Sequence, residues 1–151
     1  MHDFYFFANS HDSIGYFPNN NPGNYRVKLE KPIRLEGQGW HVGLCEISGV
    51  AWDVVLHDTV YIMCNLSSGL LLPSNQEGLL RVMPVYSRAK TYVEYAHVVY
   101  TPVQTHFIDV IELSLKVNGF TKSLAPSTKP INPKNGAKPS TLCVLHFVKK
   151  L

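Results

Sequence analysis

Apolar and polar residues alternate with a period of two along much of this chain, most cleanly from Phe107 to Val117. There Ile111, Leu113, Leu115 and Val117 fall on one face and Glu112, Ser114 and Lys116 on the other. That spacing predicts one long strand with one covered face. A second stretch of the same kind begins at Asn24, where Tyr25, Val27 and Leu29 alternate with Arg26, Lys28 and Glu30 until Lys31 and Pro32 interrupt it. Turn chemistry follows at Glu36 to Gly39. From Trp40 to Ile47 apolar residues then occupy both parities, as in a strand covered on both faces. The first of these two strands is therefore expected near a sheet edge and the second deep inside.

The remaining pattern fills in the same class. Phe4 to Ala8 reads as a short aromatic strand, and Asn9 to Asn24, rich in Asn, Gly, Ser and Pro, as a loop. Val50 to Asp58 fits no single pattern. Thr59 to Leu66 alternates Val60, Ile62, Cys64 and Leu66 against Tyr61, Met63 and Asn65, another strand. Gly69 to Gly78 reads as a loop or a short helix, and Leu79 to Tyr86 as a strand that Pro84 confines to an edge or a bulge. Tyr92 to Val103 crowds β-branched and aromatic residues together, which favours a strand. Leu142 to Val148 is a buried strand expected to return antiparallel after a long excursion. About eight strands with no helix of note and no internal repeat predict an all-β sandwich or barrel. Periodicity alone leaves open a jelly roll or an immunoglobulin-like sandwich, although the Cys…Trp…Cys spacing of immunoglobulin domains is missing, since Trp40 precedes Cys45.

Composition narrows the picture further. A chain of 151 residues fits one domain, 1–151, able to bury roughly two-thirds of its unfolded surface without staples. Hydrophobic content of 45% against 17% charged residues excludes a wholly disordered chain. Apolar runs fall far short of the roughly 20 residues of a membrane helix. The start, MHDFYFFANS, carries an acid where a signal peptide carries a base, so export is not expected. Cys45, Cys64 and Cys143 each lie in an apolar run, which predicts reduced core thiols. Asn65-Leu66-Ser67 spells a glycosylation sequon that matters only on a secretory route.

Charge is unevenly spread. All 11 acids lie in residues 1–112, whereas Leu113 to Leu151 holds seven lysines and no acid. Thr121 to Ser140, with five prolines or glycines and four lysines, reads as an exposed connection. Its Lys122, Lys129, Lys134 and Lys138 are candidate contacts for an acidic partner or nucleic acid, weighed against simple solvation of a loop. They lack the interleaved aromatics of a single-strand binding platform.

Signals for catalysis are weak. The seven histidines never occur as His-x-His or His-x-x-x-His, and serine nucleophile elbows, Gly-rich phosphate loops and zinc-spaced cysteine pairs are missing. Asp109 and Glu112, three apart on one strand, are expected on opposite faces, unable to act as a local carboxylate pair. His146, between Leu145 and Phe147, is expected to be a hydrogen-bonded core or interface residue rather than a ligand. No catalytic, cofactor or metal residue is assigned, and the chain is read as a non-enzyme.

Two blocks of sequence carry a resemblance. The turn Phe17-Pro18-Asn19-Asn20, then YRVKLEKPIRLEG (25–37) and WHVGLCEI (40–47), together with VQTHFIDVIELSL (103–115) and LCVLHFVKK (142–150), resemble the penton or minor capsid proteins of Polinton/Maverick elements and adintoviruses. The two blocks cover about half the chain, and Trp52 to Lys90 falls outside them. The resemblance implies a single eight-stranded antiparallel jelly roll that forms homopentamers at the fivefold vertices of an icosahedral capsid. It also implies contact with a double jelly-roll major capsid protein, location in the virion after assembly in the host cytoplasm or nucleus, and packaged DNA as a partner for the basic C-terminal third. Phe4, Tyr5, Phe6 and Phe7 are the candidate subunit interface, with an ordinary core strand as the plainer explanation. The alternative is a stand-alone carbohydrate- or receptor-binding β-sandwich module, with an aromatic groove and convergent polar groups. A small β-fold enzyme would instead gather titratable residues in a pocket.

Overall fold

The computed structural model describes residues 3–50, 52–53, 59–69, 77–84, 92–117, 122–123, 125–126 and 140–150. Among these, every regular element is a strand: β1 (Asp3–Asn9), β2 (Asn24–Arg34), β3 (Trp40–Val50), β4 (Trp52–Asp53), β5 (Thr59–Cys64), β6 (Gly78–Pro84), β7 (Tyr92–Glu94), β8 (Tyr100–Pro102), β9 (Phe107–Val117), β10 (Lys122–Ser123), β11 (Ala125–Pro126) and β12 (Ser140–Lys149). They form two antiparallel sheets. The first runs β1-β12-β3-β7, with β8 also on β3; the second runs β10-β9-β5-β6, with β2 also on β9. A small pair, β4 with β11, stands apart from both.

The pairings are nested. β5 pairs β6, β3 pairs β7 and β8, β2 pairs β9, and β1 pairs β12, so the chain folds like one long hairpin whose successive rungs alternate between the two sheets. Alternation of side chains then sends one face of every long strand inward. Val42, Leu44, Leu145 and Phe147 from the first sheet meet Val60, Ile62, Ile111, Leu113 and Leu115 from the second, all without solvent exposure. Tyr25 of β2 is buried with them, and its hydroxyl donates to the Ala8 carbonyl of β1 at 2.8 Å, tying the two sheets at one side.

β2 and β3 sit where the pattern put them. β2 is an edge strand and β3 is interior, bonded to β12 on one side and to β7 and β8 on the other. The ladder of β2 breaks between Lys28 and Ile33, where Pro32 has no N–H to give. Gly39, at φ +85°, makes the turn into β3, and a side chain there would strike the Lys150 carbonyl.

Some expectations change. Tyr92 to Val103 is not one strand: residues 95–99 lie opposite only Leu44 and Cys45 of β3, so the segment lifts off and splits into β7 and β8. The connection from Thr121 is not loop throughout, because β10 pairs the end of β9 and β11 pairs β4. Lys122 lies on β10, while Lys129, Lys134 and Lys138 fall outside the described residues. Residues 54–58 and 70–76, for which no single structure was expected, fall outside them too.

Burial raises the Cys64 and Cys143 thiols from 9.0 to about 12, and all three cysteines are unbonded to one another. A proton held more tightly in the folded than in the unfolded chain gives stability that is complete below about pH 9 and lost as the pH climbs towards 12. At about pH 8 a thiol reagent should therefore label at most the half-exposed Cys45 on the native protein, with the other two reacting only on unfolding. Urea midpoints should fall steeply once the pH passes about 9.

Candidate interaction surfaces

A two-sheet sandwich has two open sides, where edge strands of both sheets stand together. Here β1 and β2 flank one side, and β6 with β7 and β8 flanks the other. Among the described residues, the large apolar side chains left in solvent gather, with one exception, at these two places. Tyr5 (57% exposed), Phe7 (61%), Ile14 and Tyr16 (72%) lie on the first side, and Val82, Tyr92 and Val99 on the second. Phe107, at the start of β9, is the exception, and Arg34 covers its ring at 5.9 Å.

The aromatic run of β1 divides by parity. Phe4 and Phe6 turn inward and are half-buried, with Phe4 stacked on Phe147 at 4.7 Å and tilted against Trp40 at 5.8 Å. Tyr5 and Phe7 turn outward. Of the four candidate interface residues, two therefore serve the core, and two remain for a partner.

Tyr5 does not stand alone on this outer face. Its ring stacks on His146 at 4.3 Å, in register across β1 and β12. The His146 ring is bonded to the Tyr100 hydroxyl through Nδ1 at 2.7 Å and to Asp3 Oδ2 through Nε2 at 3.1 Å. Because a carboxylate only accepts, Nε2 is the nitrogen that donates to Asp3. Burial pushes the Tyr100 phenol up, and Lys150 lies 5.0 Å over its ring. The row passes through Gly43, whose missing side chain makes room: a Cβ there would sit 2.5 Å from Val98 Cγ1 and 2.8 Å from the Val99 carbonyl. His146 is thus hydrogen-bonded through both nitrogens, as expected of a core or interface histidine.

The two adjacent edges on this side are finished differently. The outer backbone groups of β2 are covered by the loop of residues 10–23: Ser13 Oγ accepts from the Lys28 N–H at 2.8 Å, and the Asn20 carboxamide bonds both the N–H and the carbonyl of Arg26, at 2.9 and 2.8 Å. β1 has no such cover among the described residues, and a groove of about 520 Å³ lined by Phe6, Phe7, Leu29, Lys31 and Ile33 runs between the two edges. On the opposite side Arg81 lies 4.2 Å over the Tyr95 ring and donates to the His97 carbonyl at 2.9 Å, and Leu79, Leu80, Val82 and Val99 line an apolar cleft.

Two sequence expectations are settled by side-chain bonds. Asp109 and Glu112, expected on opposite faces, both meet cations of the charged face of β2: Glu112 pairs with Arg26 at 3.2 Å and Asp109 with Lys28. β9 itself holds two residues, Asp109 and Val110, between the inward Ile108 and Ile111, at the irregular point of its ladder with β2, and this removes the simple parity on which that expectation rested. The Asn65 carboxamide accepts from the Glu112 N–H at 2.9 Å and donates to the Val110 carbonyl at 3.1 Å, and Ser67 is fully buried, so the sequon is tied into the sandwich. Sequence spacing carries no trace of these cross-strand partners.

No protein-family model matches this chain, and no curated protein matches it, so no residue role reaches it from a relative. Its surfaces are interpreted on their own chemistry. Replacing Asn65 by Ala removes both bonds to β9 and should lower stability by roughly 1–3 kcal/mol in urea unfolding. Asn65→Asp, which keeps the acceptor and loses the donor, should fall between that variant and the parent.

Proposed function

We propose that this chain is a single jelly-roll building block of an icosahedral capsid. In this reading it is a penton-type minor capsid protein that stands beside its own copies as a homopentamer at the fivefold vertex and meets a double jelly-roll major capsid protein. Strand order supports the fold part. With β7 and β8 counted as one broken strand and the two-residue β4, β10 and β11 set aside, eight strands remain. Their nested pairing, rung by rung onto alternate sheets, supports the reading of a hairpin rolled into a jelly roll.

One observation carries the assembly part: exposed apolar side chains occupy two different edges on opposite sides of the block. A self-complementary dimer needs one such patch; a ring of head-to-tail contacts needs two that differ. Tyr5 and Phe7 would then face Val82, Tyr92 and Val99 of the next copy. The acid-free stretch Leu113 to Leu151 adds positive charge suited to packaged DNA.

Native mass spectrometry of the purified chain should give a pentamer. Phe7→Glu and Val99→Glu should each weaken assembly by at least about 10-fold, or 1.4 kcal/mol per contact. An equimolar mixture of the two variants should stop at a dimer, since each brings one intact edge. A parent that stays monomeric, or a twofold dimer that survives with either edge charged, would overturn the proposal. Lys129→Glu with Lys134→Glu and Lys138→Glu should reduce genome content without preventing the ring.

A further inference from the structure

The loop of residues 10–23, with the β2 and β9 surface beneath it, encloses a second concavity distinct from the groove along β1. We infer that it binds a neutral saccharide of one or two rings. Its volume is about 330 Å³, the small end of the range of about 300–1,000 Å³ usual for small-molecule sites. Tyr16, Phe17, Asn19, Asn24, Arg26 and Glu112 supply the chemistry of its lining.

The walls are held in place before any ligand arrives. Asn20 is clamped to the Arg26 backbone through both ends of its carboxamide. Asn21 Oδ1 accepts from the N–H groups of Gly23 and Asn24 at 2.9 and 3.1 Å, and the Phe17 N–H bonds the Ser13 carbonyl at 2.8 Å. At the base, the Thr141 hydroxyl donates to the Pro22 carbonyl at 2.7 Å. A loop fixed at this many points loses little freedom on binding.

Charge decides the class of ligand. Arg26 Nε lies 3.2 Å from Glu112 Oε2, so the one cation and the one anion of the site neutralise each other. An incoming phosphate or carboxylate would meet Glu112, and an incoming amine would meet Arg26, so ions of either sign are disfavoured. Hydroxyl groups, which both donate and accept, suit every prong. The second Glu112 oxygen accepts, the terminal Arg26 nitrogens donate, and the Asn19 carboxamide does both. Asn24 adds a second carboxamide, since the Ser114 hydroxyl gives its proton to Glu77 Oε1 at 2.8 Å. A purely apolar ligand would strand all of these groups. The Tyr16 ring, 72% exposed, offers a flat apolar surface to the C–H face of a pyranose, and Phe17, with Arg26 5.8 Å over its ring, forms the second aromatic surface. This site stands whether or not the chain assembles into rings.

The test is amide-shift NMR on the whole chain, titrated separately with methyl glucoside, methyl galactoside, methyl mannoside and N-acetylglucosamine at tens of millimolar, and with inorganic phosphate. At least one neutral sugar should shift the amides of residues 16–26 and of Glu112 saturably, with a Kd near the millimolar range, about −4 kcal/mol. Tyr16→Ala should weaken that response at least about 10-fold with the thermal midpoint unchanged, because Tyr16 packs against little. Glu112→Gln, which leaves Arg26 without its counter-charge, should gain a response to phosphate that the parent lacks. Silence of those amides towards every neutral sugar, a parent response to phosphate instead, or undiminished sugar binding by Tyr16→Ala would overturn the inference.

Discussion

The last strand of the chain is bonded on both sides, and the rest of the sandwich depends on that pairing. β12 lies between β1 and β3, so residues from the two ends of the sequence meet across seven register pairs of β1. Cys143, Leu145 and Phe147 go inward without solvent exposure, while His146 faces out to hold Asp3 and Tyr100. Each inward aliphatic or aromatic side chain of this kind contributes roughly 1.5–3 kcal/mol by leaving water. Their total must offset the entropy of closing a loop that spans almost the whole chain. Contacts of such separation form slowly, so β1 and β12 are expected to zip after the inner β5–β6 rung.

Nesting also explains where the chain is exposed. A hairpin rolled into two sheets leaves four edges, in two adjacent pairs. The chain finishes these edges unequally. Ser13 and Asn20 occupy the outer backbone groups of β2, and Pro84 ends β6, yet β1 presents Tyr5 and Phe7 to solvent with no covering segment among the described residues. An uncovered aromatic edge is an association surface unless function needs it open. The proposed ring uses it together with the apolar patch on the far side. The polar pocket lies on the same loop that covers β2, so one stretch of chain both blocks an edge and shapes a concave site.

The charged face of β2 links these features. Arg26 and Lys28 are the outward residues of a half-buried strand, and each meets an acid of β9. Partly exposed pairs of this kind add little stability, about 0–1 kcal/mol each. Their effect here is on specificity: they neutralise the surface beside the 10–23 loop and set the polarity of what can bind there.

Much of this was legible from residue order, because strand periodicity is a local property. Alternation located β2, β5 and β9, the mixed parity of Trp40 to Ile47 marked β3 as interior, and Leu142 to Val148 read as a buried antiparallel return. Resemblance, not periodicity, suggested a jelly roll, and the nested pairing supports that topology. What no pattern could supply were facts set by non-neighbours. The split of β7 from β8 comes from what faces them on β3. The parity of Asp109 depends on an extra residue in β9 where its ladder with β2 is irregular, and the division of Phe4 and Phe6 from Tyr5 and Phe7 needed the position of the core. Edges, pockets and ion pairs are built from residues tens of positions apart, and only the packing of one sheet on the other decides which of them meet.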